Sequence, residues 1–446
     1  MAVEPFKGRS QTSSAAATAA GLICTLSVAA AFLAVSLPPA WGGEAVTAES
    51  PPPKKKVVIT VGVPSKPMTK PSFTLTPVSF ADLPGWAEDD HLSAWKAFLT
   101  SCPVLIQRSD EGKASKPMSQ ALAGTCRFAL EQVSSGRKMT KASARAFFET
   151  NFRPRRVDQT ISGGLLTGYY EPLLQASRTP QGEFGTPIYR RPPDLVNMVS
   201  EAERGAKSKA FTHMRQTASG LAPHLTRAEI EQGGLAGQGL ELLYFRDPVD
   251  VYFLQIQGSG RIELPDGRKI RIGYDGKNGY PYTSIGRELI QAGTFTSDNM
   301  SLKALSKWLK ADRERAAPVM WKNQSYVFFR ELSDSESGGP VGALGTALHT
   351  GRSLAVDPGY HALGSPIYVC APSLKHATRD AAGFNRLMIA QDVGSAIKGP
   401  ERGDIFFGSG DKAGSVAGVT KHPGHFFVLE PALAIEARST PPGRQP

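Results

Sequence analysis

Apolar residues recur at helical spacing in three stretches of the chain. Leu92, Trp95 and Leu99 share one helical face after Asp90, a residue type suited to an N-cap. Ala144, Phe147, Phe148 and Phe152 follow Thr140 in the same way, and Leu302, Leu305, Trp308 and Leu309 follow Ser301. From Gly163 the pattern changes to short runs cut by Gly and Pro. Leu165–Tyr170, Thr186–Tyr189, Val251–Gln257, Arg268–Tyr274 and Ser325–Leu332 read as strands, and Pro265-Asp266-Gly267 is a hairpin turn. Pro366–Val369, Ile405–Phe407 and His425–Leu429 continue the strand pattern near the C-terminus. The order is helices, a β region, then a second β region, with no internal repeat or heptad. The predicted class is mainly β with flanking helices.

One apolar run stands apart from these. Lys7 and Arg9 precede an uncharged stretch from Ala15 to Leu37, and Pro38-Pro39-Ala40-Trp41-Gly42 then offers a breaker and small residues where a signal peptidase reads. Residues 1–42 are expected to be a Sec-type signal peptide or an uncleaved N-terminal anchor. The body is then exported to the periplasm, with association to the outer or inner membrane open. Ile23 before Cys24 is too large for a lipoprotein signal, so acylation is not expected. Residues 43–79 form a Pro/Lys-rich linker containing Pro51-Pro52-Pro53-Lys54-Lys55-Lys56, and residues 433–446 a Pro-rich flexible tail. No other run is long enough to cross a bilayer, which excludes a multipass membrane protein.

Charge narrows the partners. Fifty-one Lys and Arg stand against 40 Asp and Glu, an excess that favours an acidic or anionic partner. Nucleic acid is not expected. Arg153, Arg155 and Arg156 make only a short basic cluster, and export removes the chain from such partners. In an oxidising compartment Cys102 and Cys126 could close a disulfide, leaving Cys370 as a buried thiol; three buried reduced thiols are the alternative. No CxxC, HExxH, GxSxG or phosphate-loop motif occurs, so zinc-ribbon, metalloprotease, hydrolase-elbow and nucleotide readings fail. No metal or cofactor is predicted.

Three carboxylates sit in unusual settings. Asp357 lies in Ala355-Val356-Asp357-Pro358-Gly359, Asp392 in Ala390-Gln391-Asp392-Val393-Gly394, and Asp404 in Gly403-Asp404-Ile405-Phe406-Phe407. Each adjoins apolar, strand-like neighbours and a Gly or Pro turn. Partial desolvation there raises a carboxyl pKa toward values useful in general acid catalysis. Asx-turns and salt bridges are the structural alternative. Val393 and Pro358 stand where an aspartic protease needs Ser or Thr. Two glycine-rich segments, Gln255-Ile256-Gln257-Gly258-Ser259-Gly260-Arg261 and Gly273–Tyr282, combine amides, hydroxyls and flat rings. That combination suits a sugar site, with rings on apolar sugar faces and polar groups on hydroxyls.

Together, Leu166-Thr167-Gly168-Tyr169-Tyr170-Glu171-Pro172, Gln255–Arg261, Gly273–Tyr282, Ala355–Pro358 with Leu363-Gly364-Ser365-Pro366, and Asp392–Gly399 followed by Asp404 resemble the membrane-bound lytic murein transglycosylase A family. The last two segments resemble its 3D module, named for three aspartates. The resemblance implies a double-psi β-barrel domain built from 80–175 and 337–432, a smaller β-domain inserted at 176–336, and a substrate groove between them. It implies peptidoglycan glycan strands as substrate, and cell-wall synthesis proteins as candidate partners. Asp404 is the implied catalytic residue, supported by Asp392 and Asp357. Thr167, Tyr169, Tyr170, Gln257, Gly258, Ser259, Gly260, Tyr274, Asn278 and Lys398 are the implied substrate-binding residues. The chain departs from the family in lacking a good lipoprotein signal and in a gap from Asp392 to Asp404 that is one residue longer than expected. A lone carboxyl suffices for such an enzyme because the sugar supplies its own nucleophile, unlike the two-carboxylate glycosidases. A muramidase-like hydrolase using a second Asp and a non-catalytic murein-binding scaffold are the rival expectations.

Overall fold

The computed structural model describes residues 73–432 except 115, 137, 160–162, 199–210, 334–337 and 379–380. The N-terminal apolar run, most of the Pro/Lys-rich linker and the C-terminal tail thus lie outside the described residues. No helix of the described residues is long and apolar enough to cross a membrane.

Two large sheets carry the structure. The first has nine strands, in the order Phe73–Pro77, Phe152–Gln159, His425–Pro431, Pro366–Ala371, Phe384–Val393, Ser353–Val356, Arg402–Ser409, Leu165–Glu171 and Lys421–Pro423. It draws on both flanks of the chain. Two of its contacts are parallel, Ser353–Val356 with Phe384–Val393 and Arg402–Ser409 with Leu165–Glu171, so the chain crosses over rather than turning back by hairpins. The second sheet has six strands, all between Leu173 and Glu331, and a small three-stranded sheet holds Leu195–Asn197, His213–Thr217 and Gly220–Ala222.

Three helices cover the larger sheet: His91–Asp110, Pro117–Ser134 and Lys141–Asn151. Their apolar faces, including Trp95, Phe98, Phe147 and Phe148, share one buried core with Leu354, Ile367, Tyr368, Ile389 and Phe426 of the strands. A disulfide joins Cys102 to Cys126 between the first two helices, and Cys370 is a buried free thiol. The Arg352 guanidinium ties the entrance of the first helix to the sheet, donating to both carboxylate oxygens of Asp89 at 2.8 and 2.7 Å.

Thr140 and Ser301 cap their helices, accepting from the backbone N–H of Ser143 and Ala304. Asp90 holds the N-cap position of its helix, but its carboxylate accepts from the Ser93 hydroxyl instead of the backbone. The larger departure concerns Val251–Gln257, which the sequence pattern predicts as a strand. These residues lie in a helix, Pro248–Gln257. Asp247 accepts from Val249 N at the cap, Pro248 occupies the first turn, and Gly258 closes the helix in the left-handed region at φ 77°. Terminal signals and tertiary burial of Val249, Val251, Tyr252 and Leu254 outweigh the strand propensity of its β-branched and aromatic residues. Ile285–Gln291 and Arg313–Trp321 are further helices that the sequence pattern does not announce.

Candidate active site

The site is built on four adjacent strands. Along Leu165–Glu171 side chains alternate, so Thr167 and Tyr169 share one face while Leu166 and Tyr170 take the other. Leu166 enters the core, and the Tyr170 ring packs where a side chain on Gly414 would sit. Strand pairing then aligns residues far apart in sequence. Thr167 pairs with Asp404, Asp404 with Ala355, and Ala355 with Asp392. Two aspartates thus stand in one row, separated by a residue too small to fill the space between them. Their Cα atoms are two strand spacings apart, roughly 10 Å.

Each carboxylate has a different surrounding. Asp404 Oδ1 accepts the hydroxyl of Thr167 at 2.5 Å, and Arg402 Nη2 donates to that same hydroxyl oxygen at 2.9 Å. Burial raises the Asp404 pKa above the ordinary carboxyl value; the Arg402 charge and the Thr167 hydrogen bond oppose this, and the Asp392 charge adds to it. Asp392 is held on every side: Oδ1 accepts from the backbone N–H of Ala343 and Val393, both at 2.9 Å, and Oδ2 accepts the Tyr169 hydroxyl at 3.0 Å. Burial and then the Asp392 charge push the Tyr169 phenol far up, so it stays protonated and donating. Asp357 is buried and spans a turn, accepting from Gly359 N and Gly399 N at 3.0 Å each.

A cavity of about 540 Å³ opens over the row of Asp404 and Asp392. The larger sheet and its loops line one side; the other is lined by the Gln255–Ser259 segment and by residues of the six-stranded sheet. Tyr169, Gln257, Gly258, Ser259 and Tyr274 all face it. Gln257 also joins the two regions, its Oε1 accepting the backbone N–H of Tyr170 at 3.1 Å. Gly260 is outside the lining, and a Cβ there would meet Leu254 Cδ1 at 2.6 Å, so its smallness serves packing. Asn278 is buried outside the cavity with its amide engaged: Nδ2 donates to the carbonyls of Leu225 and Gln324 at 2.8 Å, and Oδ1 accepts from Tyr326 N at 2.9 Å. Tyr170, Asp357 and Lys398 are likewise absent from the lining, and Lys398 is exposed.

Some residues at the site were not evident from sequence. Arg402 lies two positions before Asp404 on the same strand face, a period-two signal that could have been read. Arg191 and Arg330 reach the cavity from separate elements and share no local motif, whereas Lys277 and Tyr282 belong to the Gly273–Tyr282 segment. Asp275 joins them, its pKa raised by burial against the pull of Arg191 and Arg330. Gln255 is buried at the wall beside Tyr326, and its amide has no well-formed hydrogen bond among the described residues. The apolar wall beside Asp404 is Phe406, whose ring lies 5.3 Å from Tyr169; Phe407 faces away, against Gly168.

Comparison with known proteins adds a family context. Residues 165–330 match the model of the MltA specific insert domain, and residues 352–430 match the 3D domain. The chain is 34% identical over 270 residues to the membrane-bound lytic murein transglycosylase A of Escherichia coli, a stretch covering 60% of this chain and 65% of that relative. A membrane-bound lytic murein transglycosylase from Agrobacterium tumefaciens superposes with TM-score 0.72 at 36% identity, covering 82% of this chain and 99% of that structure. E. coli MltA with bound chitohexaose superposes with TM-score 0.55 at 27% identity, covering 82% and 93%.

Proposed function

The chain belongs to the membrane-bound lytic murein transglycosylase A family, and on that premise we propose that it is a peptidoglycan lytic transglycosylase. The bond cleaved is the β-1,4 link between N-acetylmuramic acid and N-acetylglucosamine, and the product carries a 1,6-anhydromuramyl end. The observation that carries this reading is the contrast between Asp404 and Asp392 on one cavity wall. Asp404 is half-buried at the cavity wall, and desolvation there raises its pKa, which favours a protonated acid. Asp392 has both oxygens occupied by protein donors and is poorly suited to attack a sugar or to activate water. That speaks against a two-carboxylate hydrolase.

Asp404 gives its proton to the departing glycosidic oxygen as the bond to the muramyl C1 breaks. The resulting carboxylate takes a proton from the muramyl C6 hydroxyl, whose oxygen closes on C1. Attack from within the same sugar carries a large effective molarity, so no water need be activated. The cavity suits a glycan strand: the Tyr274 ring offers a stacking surface and the Gln255, Gln257 and Ser259 side chains offer partners for hydroxyls. The chitohexaose bound by the E. coli relative supports a sugar polymer as the ligand.

The parallel pairings and the assembly of the larger sheet from both flanks of the chain support a double-psi barrel interrupted by an inserted domain. Domain bounds of 80–175 with 337–432, and 176–336, follow from the same reading. The exported, membrane-associated location and a partnership with cell-wall synthesis proteins belong to this proposal too. Mass spectrometry of products from purified murein tests the reaction. Wild type should release anhydro-muropeptides, and Asp404→Asn should bind sacculi but release almost none. Products one water heavier would indicate a hydrolase, and undiminished release by Asp404→Asn would remove Asp404 from the chemistry.

A further inference from the structure

Arg402, Thr167 and Asp404 form a directed chain of hydrogen bonds. Arg402 Nη2 donates to Thr167 Oγ1 at 2.9 Å, and Oγ1 donates to Asp404 Oδ1 at 2.5 Å. The direction follows from the partners. A guanidinium carries only donors and occupies one lone pair of the threonine oxygen, and Asp404 Oδ1 is the one acceptor that the described residues offer the hydroxyl proton. Arg402 is itself anchored, since Nη1 donates to the carbonyls of Leu165 and Gly403 on the two strands that carry Thr167 and Asp404.

The consequence falls on the two oxygens of Asp404. Oδ1 receives a hydrogen from Thr167 whether the carboxyl is charged or neutral, and a proton of its own there would meet that hydrogen head-on. Oδ2 receives nothing from the described residues, and Asp404 lines the cavity. Resting on the acid–base reading of Asp404 given above, we infer that Arg402 is a positioning residue which, through Thr167, confines the catalytic proton to Oδ2. The Oδ2–H bond then breaks as the glycosidic oxygen takes the proton and keeps the electron pair of its bond to C1. The same Oδ2, now anionic, receives the proton of the muramyl O6 as the O6–C1 bond forms. One oxygen both gives and takes, and the carboxyl need not rotate between the two steps.

The test uses Thr167→Val, Thr167→Ser, Arg402→Met and the double variant Thr167→Val/Arg402→Met in the full chain. Release of anhydro-muropeptides from purified sacculi is followed against pH, and circular dichroism checks folding. Thr167→Val and Arg402→Met should each lower the plateau rate roughly 10- to 100-fold, the cost of a misplaced reacting group. Both should move the alkaline limb to higher pH, because each removes an interaction that favours the carboxylate. Thr167→Ser, which keeps the hydroxyl, should recover most of the rate. Arg402→Met should cost nothing further in the Thr167→Val background. If it costs as much there as in wild type, Arg402 acts by charge alone and the inference is overturned. A folded Thr167→Ser as slow as Thr167→Val overturns it as well. Asp404→Asn, run alongside, separates the two claims. An active Asp404→Asn sinks the acid–base reading, whereas an inactive one beside a fully active Thr167→Val sinks only the positioning role.

Discussion

Glu171 closes the catalytic strand, and its replacement by Gln probes how the two sheets are held against each other. Its buried carboxylate accepts Arg271 Nε at 3.1 Å and Arg261 Nη2 at 3.5 Å from the six-stranded sheet, and the Ser409 hydroxyl at 2.5 Å from the adjacent strand. Glutamine keeps the volume but offers one acceptor oxygen, and its NH₂ points a donor at a site already lined with donors. Arg271 has only 16% of its side chain exposed, so its charge-assisted bond is worth about 1.5–3 kcal/mol. The Arg261 contact is long and its side chain is 37% exposed, which limits it to below about 1 kcal/mol. Adding the cost of a guanidinium left beside a buried neutral amide, the expected loss is about 2–4 kcal/mol. Urea unfolding of Glu171→Gln, Arg271→Met and the double variant measures it. The double variant should be less destabilised than the sum of the singles by at least about 1 kcal/mol. A loss below about 0.5 kcal/mol, or strict additivity, would refute the reasoning, because the charge would then be solvated or the pair energetically idle.

Two further outcomes follow from the structure. Burial raises the Asp404 pKa, so the folded protein binds a proton that the unfolded chain releases, and this group's contribution to stability falls as pH rises from the ordinary aspartate value through the folded one. Asp404→Asn should therefore melt higher than wild type at neutral pH, with the difference vanishing below the unfolded pKa; a variant that melts lower at pH 7 contradicts this. The Cys102–Cys126 bridge closes a loop with a sequence separation of 24, worth about 3 kcal/mol through restriction of the unfolded chain. Reductant should lower the thermal midpoint of wild type and leave Cys102→Ser/Cys126→Ser unchanged.

Much of the fold was legible because its causes are local. Thr140 and Ser301 announce their helices through side chains that reach only three residues along. The hairpin at Pro265–Gly267 joins strands whose pairing, Glu263 with Lys269, begins immediately beside it. The strand expectation for Val251–Gln257 failed for an equally definite reason. Its residues have β propensity, but the capping Asp247, the adjacent Pro248 and burial on more than one side favour a helix. Asn278 illustrates a different limit. An amide in an aromatic, glycine-rich segment suits a sugar ligand or a backbone equally well, and here three backbone groups claim it.

The amino-acid order by itself determined the class of many elements, the apolar settings of Asp357, Asp392 and Asp404, and the motifs that mark the family. Which carboxyl is free to act was decided only in three dimensions. Asp392 and Asp404 look alike along the chain, yet one is saturated by Tyr169 and two backbone amides while the other meets a hydroxyl brought from 237 residues away. That difference arises from strand register, since a slip of one residue would turn Thr167 to the opposite face of the sheet. Register is set by the burial of whole strands together, and no short window of sequence contains it.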